Sequence, residues 1–171
     1  MKGVGVLYKR EGLIIEPLIH GGKSTTVFRS GTPATPLIAS FAKALRLVYD
    51  NYEEKYKHVV EVHDYLINKL KDLDIYINSN SYCIPHVVNI SLKNIKSEVM
   101  QHALEEYEIY VSTQTACSTG NYSKAVYAVV HDKEKASRSL RISISYLTTK
   151  EEIDEFIDAF KKCLSKLSFG R

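Results

Sequence analysis

Residues 140–157 read LRISISYLTTKEEIDEFI, and this stretch decides the fold class. In its first half, apolar residues alternate with Arg141 and two serines, which is the period of a strand with one buried face. Thr149 and Glu152 then have the spacing of a capping box, which predicts the start of a helix. The apolar face of that helix consists of Ile153, Phe156, Ile157, Phe160, Leu164 and Leu167. A strand followed directly by an amphipathic helix predicts a mixed α and β fold.

The sequence before this stretch continues the same mixture back to about residue 75. Alternation and β-branched residues predict strands at 86–92 and 109–112, in addition to the strand at 140–146. Helical spacing predicts helices at 97–107 and 123–130. Strands and helices in this order indicate a small α+β domain.

A long helical pattern precedes that domain. From Leu37 to Leu73, apolar residues recur in steps of three, four and seven, with no glycine or proline between them. The pattern is longer than most helices of globular proteins, so we expect either one very long helix or two joined helices. Residues 4–8 form an apolar run typical either of a buried strand end or of a backbone that lies close to another group, and residues 17–36 form a loop-rich segment.

The composition excludes several classes of protein. Hydrophobic residues make up 44% and charged residues 25% of the 171 residues, which favours a globular chain over a disordered one. The net charge of +3 is small and its basic residues are scattered, so direct nucleic-acid binding is not expected. No membrane span or secretory signal is visible, which favours reduced thiols in the cytoplasm. The three cysteines lack close pairs, so a metal site is not expected either.

The stretch from His20 to Pro33 concentrates glycines, hydroxyl groups and two cations. Gly22, Lys23 and Ser24 look like the end of a phosphate-binding P-loop, but the glycine required five residues earlier is Pro17, so the match fails. Glycine backbone, hydroxyl groups and arginine can still bind an anion. A polar surface loop is an equally good interpretation of this stretch.

Cys117 lies among small polar residues, with no apolar pattern running through residues 112–121. This environment predicts an accessible thiol that could act as a mobile nucleophile, although a bystander cysteine in a loop is the plain alternative. Cys83 and Cys163 are interpreted as structural. A Cys–His hydrolase is a further, weaker hypothesis, with the base drawn from His86, His102 or His131.

Arg141 alternates with apolar neighbours, so its side chain must point away from Leu140 and Ile142. Such a side chain can form an ion pair on the solvent face of a sheet. It can also present a planar fork of donors that binds a carboxylate bidentately.

Four segments, in order and with matching gaps, resemble the C-terminal part of the NifS/IscS-type cysteine desulfurases. These are class V aminotransferase-fold enzymes that use pyridoxal phosphate. The segments are GVGVLYKR at 3–10, HGG…RSGTP at 20–33, TACSTG at 115–120 and LRISISYLTTKEEID at 140–154. The resemblance implies an α+β fold, namely the small domain of a fold-type I enzyme with a long linking helix. It implies a remnant of the large domain at 1–34, the linking helix at 35–74 and the small domain at 75–171.

The resemblance also implies roles for individual residues. Cys117 would be the thiolate that attacks the sulfur of the substrate and becomes a persulfide. Arg141 would bind the substrate carboxylate. Thr32 would donate to the cofactor phosphate of the other subunit of a homodimer, and Ser30 and Gly31 would shape that loop.

The implied function is the pyridoxal-phosphate-dependent removal of sulfur from L-cysteine, which gives alanine and a persulfide on Cys117. The implied partners are a second copy of the subunit and a sulfur-acceptor protein, such as an iron–sulfur scaffold or a tRNA-thiolation enzyme. Alternatives are a sulfur-carrier or dimerisation module without cofactor chemistry, and a selenocysteine lyase or another class V relative.

The chain departs from the family pattern in three places. In the family, the Schiff-base lysine sits just before the glycine-rich segment that corresponds to residues 3–10. Lys2 aligns with a later lysine of that segment, so the Schiff-base lysine is not among these 171 residues. The loop after Gly22 lacks a third glycine and a Gln-Glu pair, and Gln114 stands where a glycine is usual. We therefore expect that these 171 residues alone do not desulfurate cysteine.

Overall fold

The computed structural model describes residues 2–22, 26–113 and 121–168. The described residues contain α1 (Thr35–Tyr49), α2 (Tyr52–Leu70), β1 (Ile75–Ile77), β2 (Val87–Leu92), α3 (Ser97–Glu105), α4 (Lys124–Val130), α5 (Lys133–Ser137), β3 (Ser139–Ser143) and α6 (Lys150–Ser168). The chain divides into two units, Met1–Tyr52 and Glu53–Arg171. The predicted mixture of helices with a small sheet is confirmed.

The first unit contains α1 and the loops that precede it. Residues 2–22 form no strand, and Val6, Leu7 and Tyr8 are 75%, 76% and 92% exposed. The buried strand end expected at residues 4–8 is therefore not observed. The physical reason is that no described segment offers a neighbouring strand whose backbone groups could pair with these residues.

The long helical pattern forms two helices rather than one. α1 ends at Tyr49 and α2 begins at Tyr52, with a turn at Asp50 and Asn51 between them. Asp and Asn are among the weaker helix formers, because their short polar side chains compete for nearby backbone groups. The second of the two expected alternatives is thus the one observed.

The sheet of the second unit is antiparallel, with the strand order β1-β2-β3. Its register pairs Ile77 with Ile90 and Asn89 with Arg141. On the far side of β3, Ser112 makes a single bridge to Arg141. The strand predicted at residues 109–112 is therefore reduced to that bridge.

One face of the sheet packs against α2, α3 and α6 to form the core. The buried residues of this core include Leu66, Leu70, Val88, Ile90, Leu92, Met100, Leu104, Leu140, Ile142, Ile153 and Phe160. Burying each large side chain of this kind contributes about 1.5–3 kcal/mol. Because these strand residues face the core, the residues that alternate with them project from the opposite face of the sheet.

The predicted capping box at the start of α6 is confirmed. The Thr149 backbone N–H donates to Glu152 Oε2 over 2.9 Å, and the Glu152 N–H donates to Thr149 Oγ1 over 3.2 Å. These two bonds satisfy backbone donors that have no partner within the helix itself. They fix the start of α6 at Lys150.

The other face of the sheet is covered by α4 and α5. Ser91 of β2 donates its hydroxyl to the backbone oxygen of Lys135 in α5 over 2.9 Å. Ser123 caps α4 by accepting from the Val126 N–H, and Asp132 caps α5 by accepting from two backbone N–H groups. This second layer places polar side chains between the sheet and a helix.

None of the helices described here is long and apolar enough to cross a bilayer.

Candidate functional site

Arg141 projects from the outer face of β3. Its neighbours Leu140 and Ile142 are only 1% and 7% exposed and face the core, whereas Arg141 is exposed. The structure thus shows the alternation predicted for this strand. It places the guanidinium on the side of the sheet that α4 covers.

The guanidinium of Arg141 has one protein partner within the described residues. Its Nη2 donates to Ser112 Oγ over 3.1 Å, and the two residues also exchange backbone hydrogen bonds. No described carboxylate forms an ion pair with it. A guanidinium has five N–H donors, so most of its donors remain for a ligand.

A cavity of about 240 Å³ lies beside Arg141. Pockets for drug-sized ligands have volumes of about 300–1,000 Å³, so this smaller cavity suits a small amino acid better than a large cofactor. One wall is an apolar strip of α4, and the polar lining includes Arg141 and two asparagines. The residues that line the cavity include Asn78, Cys83, Asn89, Thr113, Ser123, Ala125, Val126, Val129 and Arg141.

The cavity is next to both ends of the segment that carries Cys117. Thr113 and Ser123 line it, and they precede and follow residues 114–122. Cys117 itself lies outside the described residues. Within the described residues, Thr113 and Ser123 therefore line the same cavity as Arg141.

The other two cysteines have different environments. Cys163 is buried in α6 at 1% exposure, and burial raises the pKa of its thiol above the ordinary value of 9.0. Its interpretation as structural is supported. Cys83 is exposed and lines the cavity, with its Sγ 3.7 Å from Asn80 Oδ1, so the structural interpretation of Cys83 is wrong. It precedes β2 in a turn, where the core does not cover it.

The three candidate histidines lie on different elements, and none of them lines the cavity beside Arg141. His102 on α3 contacts Glu105, and His131 ends α4 in a left-handed conformation. The ring of His86 lies 6.2 Å from that of Tyr56. No described geometry therefore singles out a base for a Cys–His pair.

Sequence reasoning missed the asparagines in the floor of the cavity. Asn78 Nδ2 donates to Asn89 Oδ1 and to Ser91 Oγ, each over 2.7 Å. Asn89 Nδ2 in turn donates to the backbone oxygen of Leu140 over 3.1 Å. The signal that could have found Asn89 is its presence within the strand-like run HVVNISL, since asparagine is depleted in strands.

The first unit contains the other predicted site, the loop at residues 20–33. Ser30 closes this loop, because its N–H donates to the Ile19 oxygen over 3.1 Å and its hydroxyl donates to the His20 oxygen over 2.7 Å. Gly21 has φ +148°, and a Cβ at this position would come within 2.9 Å of Ser30 Oγ. The hydroxyl of Ser30 is therefore bonded within the loop itself.

Gly31 and Thr32 leave groups on this loop that could bind an anion. Gly31 has φ +111°, a conformation that side chains rarely adopt, and a Cβ there would come within 3.1 Å of the Arg29 guanidinium. Thr32 is exposed, and its hydroxyl bonds to no described residue. An exposed hydroxyl, a glycine backbone and a nearby cation are the donor set that a phosphate group requires.

These features belong to a known family. A family model described as Aminotransferase class-V matches residues 1–156. The chain belongs to the class-V aminotransferase family. Membership implies pyridoxal phosphate as the cofactor of the full-length enzyme, and the donor set around Gly31 fits its phosphate group.

Curated relatives of this class-V chain carry the names of cysteine desulfurases. The Cysteine desulfurase IscS of Mannheimia succiniciproducens is 35% identical over 97% of this chain and 42% of its own length. A NifS/IcsS protein homolog of Lactobacillus delbrueckii subsp. bulgaricus is 33% identical over 98% of this chain and 45% of its own length. The class-V chain thus spans less than half of the length of these relatives.

Solved structures agree with the sequence relatives. A NifS-like protein superposes with a TM-score of 0.75 at 31% identity, over 92% of this class-V chain and 41% of that protein. The NifS-like protein from Rickettsia africae gives a TM-score of 0.72 at 29% identity, over 90% of this chain and 41% of that protein. The resemblance to part of a NifS/IscS-type enzyme and the α+β fold class are confirmed.

Proposed function

We propose that this chain is the part of a cysteine desulfurase that binds the carboxylate of L-cysteine and receives its sulfur on Cys117. The observation that carries the proposal is the Arg141 guanidinium, which has no carboxylate partner among the described residues and lies beside a cavity of about 240 Å³. The names of the relatives support the reaction, and the cavity supports the size of the substrate.

Arg141 is assigned to the substrate carboxylate. Its remaining N–H donors can form hydrogen bonds to both oxygens of a carboxylate, and the bond to Ser112 limits the rotation of the guanidinium. Binding at this point orients the rest of the amino acid within the cavity. The apolar strip of α4 excludes water from one side of the ligand.

Cys117 is assigned to the sulfur. Cys117 lies four positions after Thr113 along the chain, and four residue steps span at most about 14 Å when fully extended. Its thiolate attacks the sulfur of the substrate, the carbon–sulfur bond breaks, and the sulfur remains on Cys117 as a persulfide. The outer sulfur of the persulfide then passes to a sulfur-acceptor protein, such as an iron–sulfur scaffold or a tRNA-thiolation enzyme.

Pyridoxal phosphate is assigned to the loop at residues 20–33. When bound, it withdraws the electron pair released as the carbon–sulfur bond breaks. Thr32 would donate its hydroxyl to the cofactor phosphate in a homodimer, with Ser30 and Gly31 shaping the loop. The lysine that holds the cofactor is proposed to lie outside these 171 residues.

The proposed organisation follows the same assignment. Residues 1–34 belong to the cofactor-binding large domain, residues 35–74 are the helical link, and residues 75–171 are the small domain with the cysteine segment. The enzyme is proposed to act in the cytoplasm, since L-cysteine and thiol chemistry require a reducing compartment.

The experiment that tests the proposal joins this chain to the part of the Mannheimia succiniciproducens relative that it does not match, which gives a fusion enzyme. We expect the fusion enzyme with pyridoxal phosphate to release alanine from L-cysteine, and its Cys117→Ser variant to release none in multiple turnovers. The 171-residue chain with added cofactor should release no alanine. Equal activity of the Cys117→Ser variant and its parent would refute the assignment of the sulfur.

A further inference from the structure

Three polar side chains on the outer face of the sheet form a hydrogen-bonded row next to Arg141. This amide row consists of Asn78, Asn89 and Ser91, and Asn78 Nδ2 bridges the other two over 2.7 Å each. Ser91 is completely buried and continues the row to the backbone oxygen of Lys135. The row therefore links the end of β1, the middle of β2 and the helix layer above them.

Asn89 is the member of the row that stands beside Arg141. The two residues are partners in the register of β2 and β3. The backbone of Arg141 bonds instead to Ser112, and the backbone of Asn89 bonds to Asn78 and Ser79 on its other side. The Asn89–Arg141 pair is thus a non-hydrogen-bonded pair, in which opposite side chains approach most closely.

The side chain of Asn89 is held at both of its ends. Its Oδ1 accepts from Asn78, and its Nδ2 donates to the backbone oxygen of Leu140, the residue before Arg141. A side chain fixed by two hydrogen bonds offers a rigid surface against which the Arg141 side chain can pack. Without this surface the long arginine side chain would sample more rotamers and would lose more entropy on binding a ligand.

The chemistry of the amide is equally specific. An aspartate of the same shape would pair with the guanidinium and neutralise the charge that a ligand needs. An apolar residue would leave the Leu140 oxygen and the Asn78 amide without these partners. A neutral amide avoids both effects at the position opposite Arg141.

We propose that Asn89, held by Asn78, is a positioning residue that keeps the Arg141 guanidinium directed into the cavity and its charge available for a carboxylate. The inference rests on the proposed function, in which Arg141 binds the carboxylate of the substrate. It adds a residue that acts through Arg141, since both polar atoms of the Asn89 side chain are bonded within the protein.

The test uses the labelled 171-residue chain and sodium propionate as the carboxylate probe. The Nε–Hε nuclear magnetic resonance signal of Arg141, assigned with the Arg141→Gln variant, is followed during titration. We expect a saturable shift in the wild type and binding weakened by roughly tenfold or more in Asn89→Asp, because the new carboxylate competes for the guanidinium. Asn68→Asp is the matched control, since it makes the same charge change at an exposed position of α2 and should bind as the wild type does.

A second arm measures the mobility of the Arg141 side chain without any ligand. The heteronuclear Overhauser effect of its Nε–Hε group should fall in Asn89→Ala and in Asn78→Ala, while the backbone signals of the core stay in place. This readout would not change if the amide row only stabilised the fold. It also keeps the inference testable if one of the variants folds poorly.

The outcomes separate the two claims. A wild type that shows no saturable shift with propionate overturns the role of Arg141 in the proposed function and this inference with it. A wild type that binds, with Asn89→Asp binding equally well, overturns only the positioning role. Unchanged mobility of Arg141 in both alanine variants also overturns the positioning role and leaves the proposed function intact.

Discussion

Replacing Arg141 with glutamine removes the charge on which substrate binding is proposed to depend. Arg141 is exposed and bonds only to Ser112 among the described residues, so the substitution breaks no ion pair of the fold. Any loss of binding therefore reports on the ligand. The β3 backbone bonds and the buried neighbours of Arg141 should remain as they are.

The magnitude follows from the geometry of the site. Two unit charges 4 Å apart interact by about 4 kcal/mol at an effective dielectric constant near 20. Because the guanidinium is open to solvent on one side, we expect about 2–3 kcal/mol, which is also the upper range for a charge-assisted hydrogen bond. At 1.36 kcal/mol for each factor of ten, this corresponds to roughly a 30- to 160-fold weaker interaction.

The assay is steady-state release of alanine by the fusion enzyme at a series of L-cysteine concentrations. We expect KM to rise by that factor in Arg141→Gln, with a smaller change in kcat. Arg138→Gln is the matched control, because it removes the same charge three residues earlier. The Arg138 side chain contacts Glu134 and the backbone oxygen of Lys93, and it does not line the cavity. A KM that rises equally in both variants, or in neither, would refute the reasoning.

Three further predictions concern the second unit, Glu53–Arg171. Thr149→Ala should lower the free energy of unfolding by about 0.5–2 kcal/mol, measured by urea denaturation, because it removes one half of the capping box; no change would contradict that role. The ion pair with Lys69, together with a hydrogen bond from a tyrosine, lowers the pKa of Asp154 below 3.8. The contribution of the ionised Asp154 to the free energy of unfolding is therefore fully present above pH 3.8 and is lost as the pH falls through the lowered pKa. The difference in the free energy of unfolding between the wild type and Asp154→Asn should therefore shrink as the pH is lowered below 3.8, and a difference independent of pH would contradict this. Iodoacetamide should label Cys83 rapidly in the folded chain and Cys163 only after unfolding, since Cys163 is buried and its pKa is raised; equal labelling rates of the two native thiols would refute the burial argument.

The parts of the fold with strong local signals could be predicted from the sequence. β3 and α6 follow from strict alternation and from a capping box whose two partners are three residues apart. The side of the sheet on which Arg141 lies follows from the same alternation. Each of these signals depends on neighbours in sequence, so no knowledge of the tertiary structure is needed.

Other elements depend on contacts between distant segments. β1 has only three residues and acquires its identity by pairing with β2, and α5 consists of five residues with little apolar pattern. The apolar spacing between Leu37 and Leu73 continues across Asp50 and Asn51, so periodicity alone could not locate the break between α1 and α2.

The floor of the cavity was hidden for the same reason. Asn78 and Asn89 meet because the turn between β1 and β2 sets a particular register, and a shift of one residue would place them on opposite faces. The exposure of Cys83 likewise depends on the path of that turn. The sequence therefore identified the charged residue of the cavity and missed its neutral neighbours.

The proposed function depends on the arrival of the sulfur of L-cysteine at Cys117. The most direct measurement is mass spectrometry of the fusion enzyme after a single turnover with L-cysteine without reductant, in which the thiols are alkylated only after the reaction has been stopped. We expect the peptide containing Cys117 to gain the mass of one sulfur atom, while the peptides containing Cys83 and Cys163 do not. Alanine formed in stoichiometric amount with the sulfur on Cys83, or with no sulfur on the protein, would contradict it.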